Sequence, residues 1–237
     1  MSHPGWFSAN PVRLSSALVA MLLICVGAAA QTGAEAQTDA EAQRNSETRE
    51  QALTRLRSPD ADTRLAAAAV LAKTGEQEDL PYILFHLFDP DQRMRISAEA
   101  AVWAIWSRSG DAAADQLFES GLTQMREGQL KAAVDAFSRV IALRPDFAEA
   151  WNKRATVYFL LGEDDLSLLD CHEVLKRNPR HFGVLAGYGQ IYLRKGDLPG
   201  ALDSFEQALA INPNMGGVRA SISAIREILN RRDGRFI

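Results

Sequence analysis

The clearest regularity in the chain is a pattern of apolar and small residues that returns every 34 positions between Ala114 and Pro213. Pro145, Pro179 and Pro213 share one phase, and so do Gly128, Gly162 and Gly196, and the small residues Gly121, Ala155 and Gly189. Further columns keep the same interval, among them Leu117, Trp151 and Leu185, then Ala133, Ser167 and Ala201, then Phe137, Cys171 and Phe205. Within each unit the apolar residues recur three or four apart, the period of one helix face. Trp151, Ala155 and Tyr158 fall at i, i+4 and i+7, so they form one stripe whose small member lets a partner helix come close. A glycine divides two such stretches and a proline follows the second, which predicts a helical hairpin. Asn178 and Asn212 end the second helices, because a residue before proline is driven out of the helical region. One hairpin leaves its apolar face uncovered; stacked copies bury it.

Upstream, a shorter period appears. Ser58-Pro59-Asp60 and Asp89-Pro90-Asp91 lie 31 residues apart, with Arg64 and Arg95, Ala67 and Ala98, and Ala69 and Ala100 in register. Two more hairpins are predicted, with helices over roughly 48–57, from Asp60 to Gly75, over 78–88, and from Asp91 to Gly110. Downstream, Val218, Ile222, Ile225 and Leu229 stand at helical spacing, the pattern of a terminal helix that covers the last apolar face.

The 34-residue units resemble the tetratricopeptide repeat (TPR) family. The middle unit carries its pattern as Trp151, Ala155, Tyr158, Gly162, Ser167, Cys171 and Pro179, and the third as Leu185, Gly189, Tyr192, Gly196, Ala201, Phe205, Ala208 and Pro213. Gln124 replaces the aromatic of the first unit, and Ser167 and Cys171 depart from the pattern in the middle one. The upstream hairpins resemble HEAT-like repeats, in which an Asp at a helix start and an Arg six residues later link neighbouring units. Asp89 and Arg95 match that spacing, whereas Ser58 stands where an acid would precede Arg64. Together the resemblances imply an all-α fold, a right-handed α-solenoid of two HEAT-like and three TPR-like hairpins closed by a capping helix.

The predicted organisation is a signal peptide over 1–30, a disordered tether over 31–46, HEAT-like repeats over 47–110, three TPR units over 111–213 (114–147, 148–181 and 182–215 by period), and a capping helix and tail over 214–237. The leader rests on the uncharged run from Leu14 to Ala30 and the small residues Ala28-Ala29-Ala30 before Gln31. Cleavage and export are expected; a retained membrane anchor and lipidation at Cys25 are the alternatives. The tether is rich in Ala, Gln, Glu and Thr and lacks large apolar residues, so it cannot hold a fold of its own. Only seven residues, 107–113, separate the two arrays, which predicts one continuous solenoid with Trp103 and Trp106 sealing the junction.

Charge and cysteine content narrow the function. The net charge is −4, which gives phosphate-backbone binding little support and argues against a nucleic-acid partner. Cys25 and Cys171 are the only cysteines, so a disulfide scaffold is excluded. Cys171 and His172 are adjacent on a helix and point in different directions, so they do not form a metal pair. No metal, cofactor or catalytic constellation is predicted, and a non-enzymatic protein-interaction scaffold of the bacterial cell envelope is the expected role. The alternatives are a membrane-anchored assembly factor and an enzyme with a polar cavity between the arrays containing His86 or His181.

The resemblance further implies that the first helix of each unit lines an inner groove. The residues beside the packing stripe are Phe118, Leu122 and Met125 in the first unit, Asn152, Thr156 and Phe159 in the second, and Ala186, Gln190 and Leu193 in the third. These suit an extended or helical peptide held by apolar anchors, with Asn152 and Gln190 satisfying its backbone; packing between the chain's own helices is the competing account. One TPR subclass clamps a carboxylate terminus with cationic and amide side chains. The positions matching that clamp here are Phe118, Leu122, Lys153, Gly183 and Gly187, of which Lys153 alone is cationic. Gly183, Gly187 and Gly189 in one helix cost about 1 kcal/mol each relative to alanine, which predicts close approach by a neighbour or a ligand.

Overall fold

The computed structural model describes residues 48–232. The leader, the tether and the last residues of the tail lie outside that range. Every regular element among the described residues is helical. Helix α1 covers 48–55, α2 Ala61–Thr74, α3 Leu80–Phe85, α4 Gln92–Trp106, α5 Ala112–Arg126, α6 Leu130–Leu143, α7 Ala148–Leu161, α8 Asp164–Arg177, α9 Phe182–Lys195, α10 Leu198–Ile211 and α11 Gly216–Arg232. The hairpins α5–α6, α7–α8 and α9–α10 are the three 34-residue units. From α5 onward successive helices pack as neighbours through to α11, while α2 and α3 both pack on α4.

Local chemistry sets these boundaries. Asp60, Asp91 and Asp111 cap α2, α4 and α5 by accepting hydrogen bonds from backbone N–H groups of the first turn, which satisfies donors the helix itself leaves free. The turns inside the three units place Gly128, Gly162 and Gly196 at φ 74°, 83° and 77°, a left-handed conformation that costs glycine no Cβ clash. Short 3-10 turns over Gln77–Asp79 and His86–Phe88 flank α3, so the helix expected over 78–88 is broken into three short pieces.

The N-terminal hairpins are joined by a buried ionic link. Arg64 donates from Nε and Nη2 to the two carboxylate oxygens of Asp89 at 2.9 and 2.8 Å, and from Nη1 to the carbonyls of Ser58 and Pro59. Ser58 therefore needs no acid, because its backbone carbonyl serves and the carboxylate comes from the next unit. Arg95 repeats the pattern, donating from Nη1 to the carbonyls of Asp89 and Pro90. Its Nε reaches Asn214 Oδ1 at 2.9 Å, so the next rung is supplied by the loop between α10 and α11.

That contact belongs to a longer seam. The loops at Pro145, Pro179 and Pro213 lie on one edge of the stacked units, since antiparallel hairpins bring equivalent loops to the same end. Asn214 in the third loop also donates to the Leu87 carbonyl at 2.8 Å. At the second loop, Trp106 stacks on His181 with ring centroids 4.3 Å apart and meets Phe182 at 5.0 Å. Gly110 approaches Arg144 beside the first loop. A helix of 15 residues spans about 22 Å, close to two helix-packing distances of about 10 Å. Helix α4 thus acts as a strut along the loop edge, running from the third unit towards the first. Trp103 and Trp106 do pack between the two arrays, but against the loop that joins the second and third units rather than the unit that follows them in the chain.

Candidate functional site

Inside the stack, α7 and α9 face each other over the middle unit. Between them lies a cavity of about 200 Å³, walled by Asn152, Thr156 and Phe159 from α7 and by Gly183, Gly187 and Gln190 from α9, with Ser167 and Cys171 of α8 beneath. Its position follows from how the hairpins close. In the first and third units a phenylalanine presses on a glycine: a Cβ at Gly121 would meet the Phe137 ring at 2.7 Å, and one at Gly189 would collide with Phe205. The middle unit has Ala155 and Cys171 at these places. Ser167 closes its hairpin instead by donating to the Ala155 carbonyl at 2.8 Å. The smaller side chains leave space where the neighbouring units are filled.

The three glycines of α9 separate into two kinds. Gly189 is required by Phe205, and Gly183 by Trp103, whose ring a Cβ would meet at 2.5 Å. At Gly187 an added Cβ has nothing within 4 Å. No neighbour among the described residues accounts for its missing side chain, and Gly187 opens onto the cavity.

The groove residues named from sequence divide accordingly. Asn152, Thr156, Phe159 and Gln190 line the cavity. Gln190 is exposed, and its side-chain amide has no hydrogen-bond partner among the described residues. Asn152 is committed, donating from Nδ2 to both carboxylate oxygens of Glu149 at 3.1 Å. Phe159 packs on the core cluster around Cys171 and Val184, and the Arg194 guanidinium lies 3.7 Å from its ring centroid. Leu122 and Met125 pack on the core of the first unit, and Leu193 and Ala186 on that of the third. Phe118 is a correction: it is 1% exposed and wedged against Phe137 and Phe147, so it is interior packing and presents nothing to a partner. Trp151 packs on the core clusters of the first and middle units while half-buried, its indole N–H donated to the Pro145 carbonyl at 3.0 Å.

Sequence reasoning missed a buried polar network beside the groove. Glu149 receives Lys153 Nζ at 2.8 Å and His181 Nε2 at 2.9 Å. His181 Nδ1 accepts the Val184 backbone N–H, so its proton sits on Nε2 and both ring nitrogens are engaged. Burial opposes ionisation of Glu149, but the His181 hydrogen bond and the Lys153 ammonium outweigh it and hold the carboxyl below its usual range. Lys153 also lies 5.5 Å from the Trp103 ring centroid. The single cation at the clamp-matching positions is therefore already paired. Nothing in the linear pattern announced this network, because Glu149 and His181 lie 32 residues apart and meet only through the stack.

A second, polar cavity of about 230 Å³ lies between the end of α4 and the repeat loops, with His181 in its wall. Its histidine is fully buried and has no ring nitrogen left for a substrate. His86 is likewise buried, with Nδ1 3.0 Å from Asp89. Burial pushes the Cys171 thiol up to about 12, which leaves it without nucleophilic thiolate at neutral pH. Among the described residues no group of three His, Cys, Asp or Glu side chains is placed to hold a metal ion.

Two family models match the repeats: "TPR repeat" over residues 121–162 and "Tetratricopeptide repeat" over residues 183–215. A TPR repeat-containing protein of Rhizobium etli is 34% identical over 141 residues, covering 60% of this chain and 68% of that protein. The chain belongs to the tetratricopeptide repeat family. The TPR protein PYG7 of Arabidopsis thaliana, chloroplastic, is 28% identical over 51% of this chain and 41% of its own length. Among solved structures, the TPR domain of Sgt2 from Aspergillus fumigatus superposes with a TM-score of 0.49 at 17% identity, over 54% of this chain and 86% of that one. Both TPR family matches fall within α5–α11, where the hairpin geometry is repeated.

Proposed function

We propose that the chain is a non-enzymatic TPR scaffold that holds a peptide segment of a protein partner in the groove between α7 and α9. The observation that carries the reading is Gly187: a residue that weakens its helix, has no neighbour to require it, and opens onto a cavity. A peptide side chain entering there gains the apolar wall of Phe159, Val184 and Ile191. Gln190 offers a free amide to the peptide backbone, the arrangement expected of apolar anchoring with backbone recognition. We read α1–α4 as a HEAT-like pair on the strength of the Arg64–Asp89 link, and as a brace that fixes the spacing of the TPR units. Export to the bacterial cell envelope rests on the uncharged run from Leu14 to Ala30. A retained leader would make the same scaffold a membrane-anchored assembly factor, and intact mass of the native protein separates the two.

Gly187→Leu tests the groove without removing any contact. The side chain has room, and the helix gains about 0.8 kcal/mol from loss of glycine. Expected is unchanged or slightly raised stability, with photo-crosslinking of the partner from Gln190 abolished. Full crosslinking by a stable Gly187→Leu protein would move the binding surface away from α7 and α9.

A further inference from the structure

The polar cavity at the strut has a wall rich in donors. Arg108 follows α4, Arg144 precedes Pro145, and Arg177 lies at the end of α8; all three line it. Arg144 gives Nε and Nη2 to Asp146, and Arg177 gives Nε to the Pro145 carbonyl and Nη1 to Glu173. Among the described residues Arg108 has no carboxylate at salt-bridge distance: its Nη1 and Nη2 donate to the carbonyls of Ala72 and Gly75. Burial lowers its pKa, with Asp115 and Glu76 compensating only at longer range. The acids of the same wall are spent, Asp146 on Arg144 and Glu149 on Lys153 and His181.

Remaining donors find no acceptor among the described residues. They are Arg108 Nε, Arg144 Nη1, Arg177 Nη2 and Asn178 Nδ2. Trp106, another wall residue, keeps a buried indole N–H without a partner. Of these donors the Trp106 indole N–H is fully buried, a position ordinarily satisfied; the others open onto the cavity, and with three guanidinium groups on one wall they suit an acceptor-rich anion.

We propose that this cavity binds a small oxyanion, with phosphate or a similarly shaped inorganic anion as the ligand class. Its volume of about 230 Å³ accommodates a tetrahedral anion with accompanying water. The ligand would bridge α4 to the first and second repeat loops and so tighten the brace. The site is separate from the groove and does not depend on a peptide partner.

The test is calorimetric titration of the full chain with inorganic phosphate at constant ionic strength made up with chloride, alongside thermal melts. A saturable heat and a phosphate-dependent rise in Tm are expected, with sulfate giving a comparable response because the same donors and charge read both. Arg144→Gln should weaken phosphate binding by about tenfold or more, since one guanidinium is lost. Its phosphate-free melt should hardly move, because the side chain otherwise bonds only exposed Asp146. Arg108→Gln should weaken binding at least as much. Absence of saturable heat up to about 20 mM phosphate, the same heat from chloride alone, or undiminished binding by a folded Arg144→Gln would each overturn the site.

Discussion

The first and third TPR units close their hairpins in one way and the middle unit in another. Outside, a phenylalanine of the second helix fills the gap left by a glycine of the first, Phe137 on Gly121 and Phe205 on Gly189. In the middle, Cys171 and Ala155 replace the pair, a buried serine hydroxyl bridges the helices, and a cavity remains. A solenoid with three like units would be equally filled throughout. Thinning one unit while keeping its neighbours rigid concentrates open volume at the centre of the inner face. The middle unit also carries the buried Glu149–His181–Lys153 network, so it trades apolar packing for polar order beside the candidate groove.

The largest effect should come from the filled units. Phe205→Ala should cost about 3–5 kcal/mol, while Cys171→Ala should cost about 1 kcal/mol, both read from urea denaturation. Equal losses at the two sites would remove the distinction between them.

Next comes the polar network. Glu149→Gln should cost about 1.5–3 kcal/mol near neutral pH, the range for hydrogen bonds to a charged group. The sign follows from the lowered carboxyl pKa of the folded state. The carboxylate's contribution is fully present above its ordinary value of 4.5 and is lost as pH falls through the lower, folded value. The gap between wild type and Glu149→Gln should therefore narrow in acid below that ordinary value. A gap that is constant from neutral pH to well below it would mean that Glu149 is not ionised in the fold.

The smallest expected effect on stability is the exchange of one packing mode for the other. Ala155→Gly with Cys171→Phe transplants the outer pair into the middle unit. The glycine costs about 1 kcal/mol in helix propensity, and the added ring returns apolar burial, so the net change should be within about 1 kcal/mol. Cys171→Phe alone, with the Ala155 methyl retained, should be overpacked by about 1–3 kcal/mol.

Much of the TPR architecture was legible because it is local and periodic. Spacing of three and four positions gave the helices, and the glycine and proline columns gave the turns. Of the residues read from sequence as lining a groove, Asn152, Thr156, Phe159 and Gln190 do meet at one cavity. Phe118 was misplaced because two adjacent faces of α5 are both apolar, and periodicity cannot say which one a neighbouring helix covers. The strut was invisible for a different reason. Trp103 and Trp106 read as packing residues, but their partner, His181-Phe182, is more than seventy positions away and no short-range pattern encodes that meeting. Arg64 showed the opposite: its spacing was noticed, yet the carboxylate it needs belongs to the next unit, at Asp89.

The central claim is that the thinned middle unit is the place where a partner segment binds. The most direct measurement is photo-crosslinking from Gln190 in an envelope fraction, comparing wild type with the Ala155→Gly/Cys171→Phe protein after circular dichroism shows both to be equally helical. The account predicts a discrete crosslinked partner with wild type and none with the filled groove. The same partner captured equally by both proteins would contradict it.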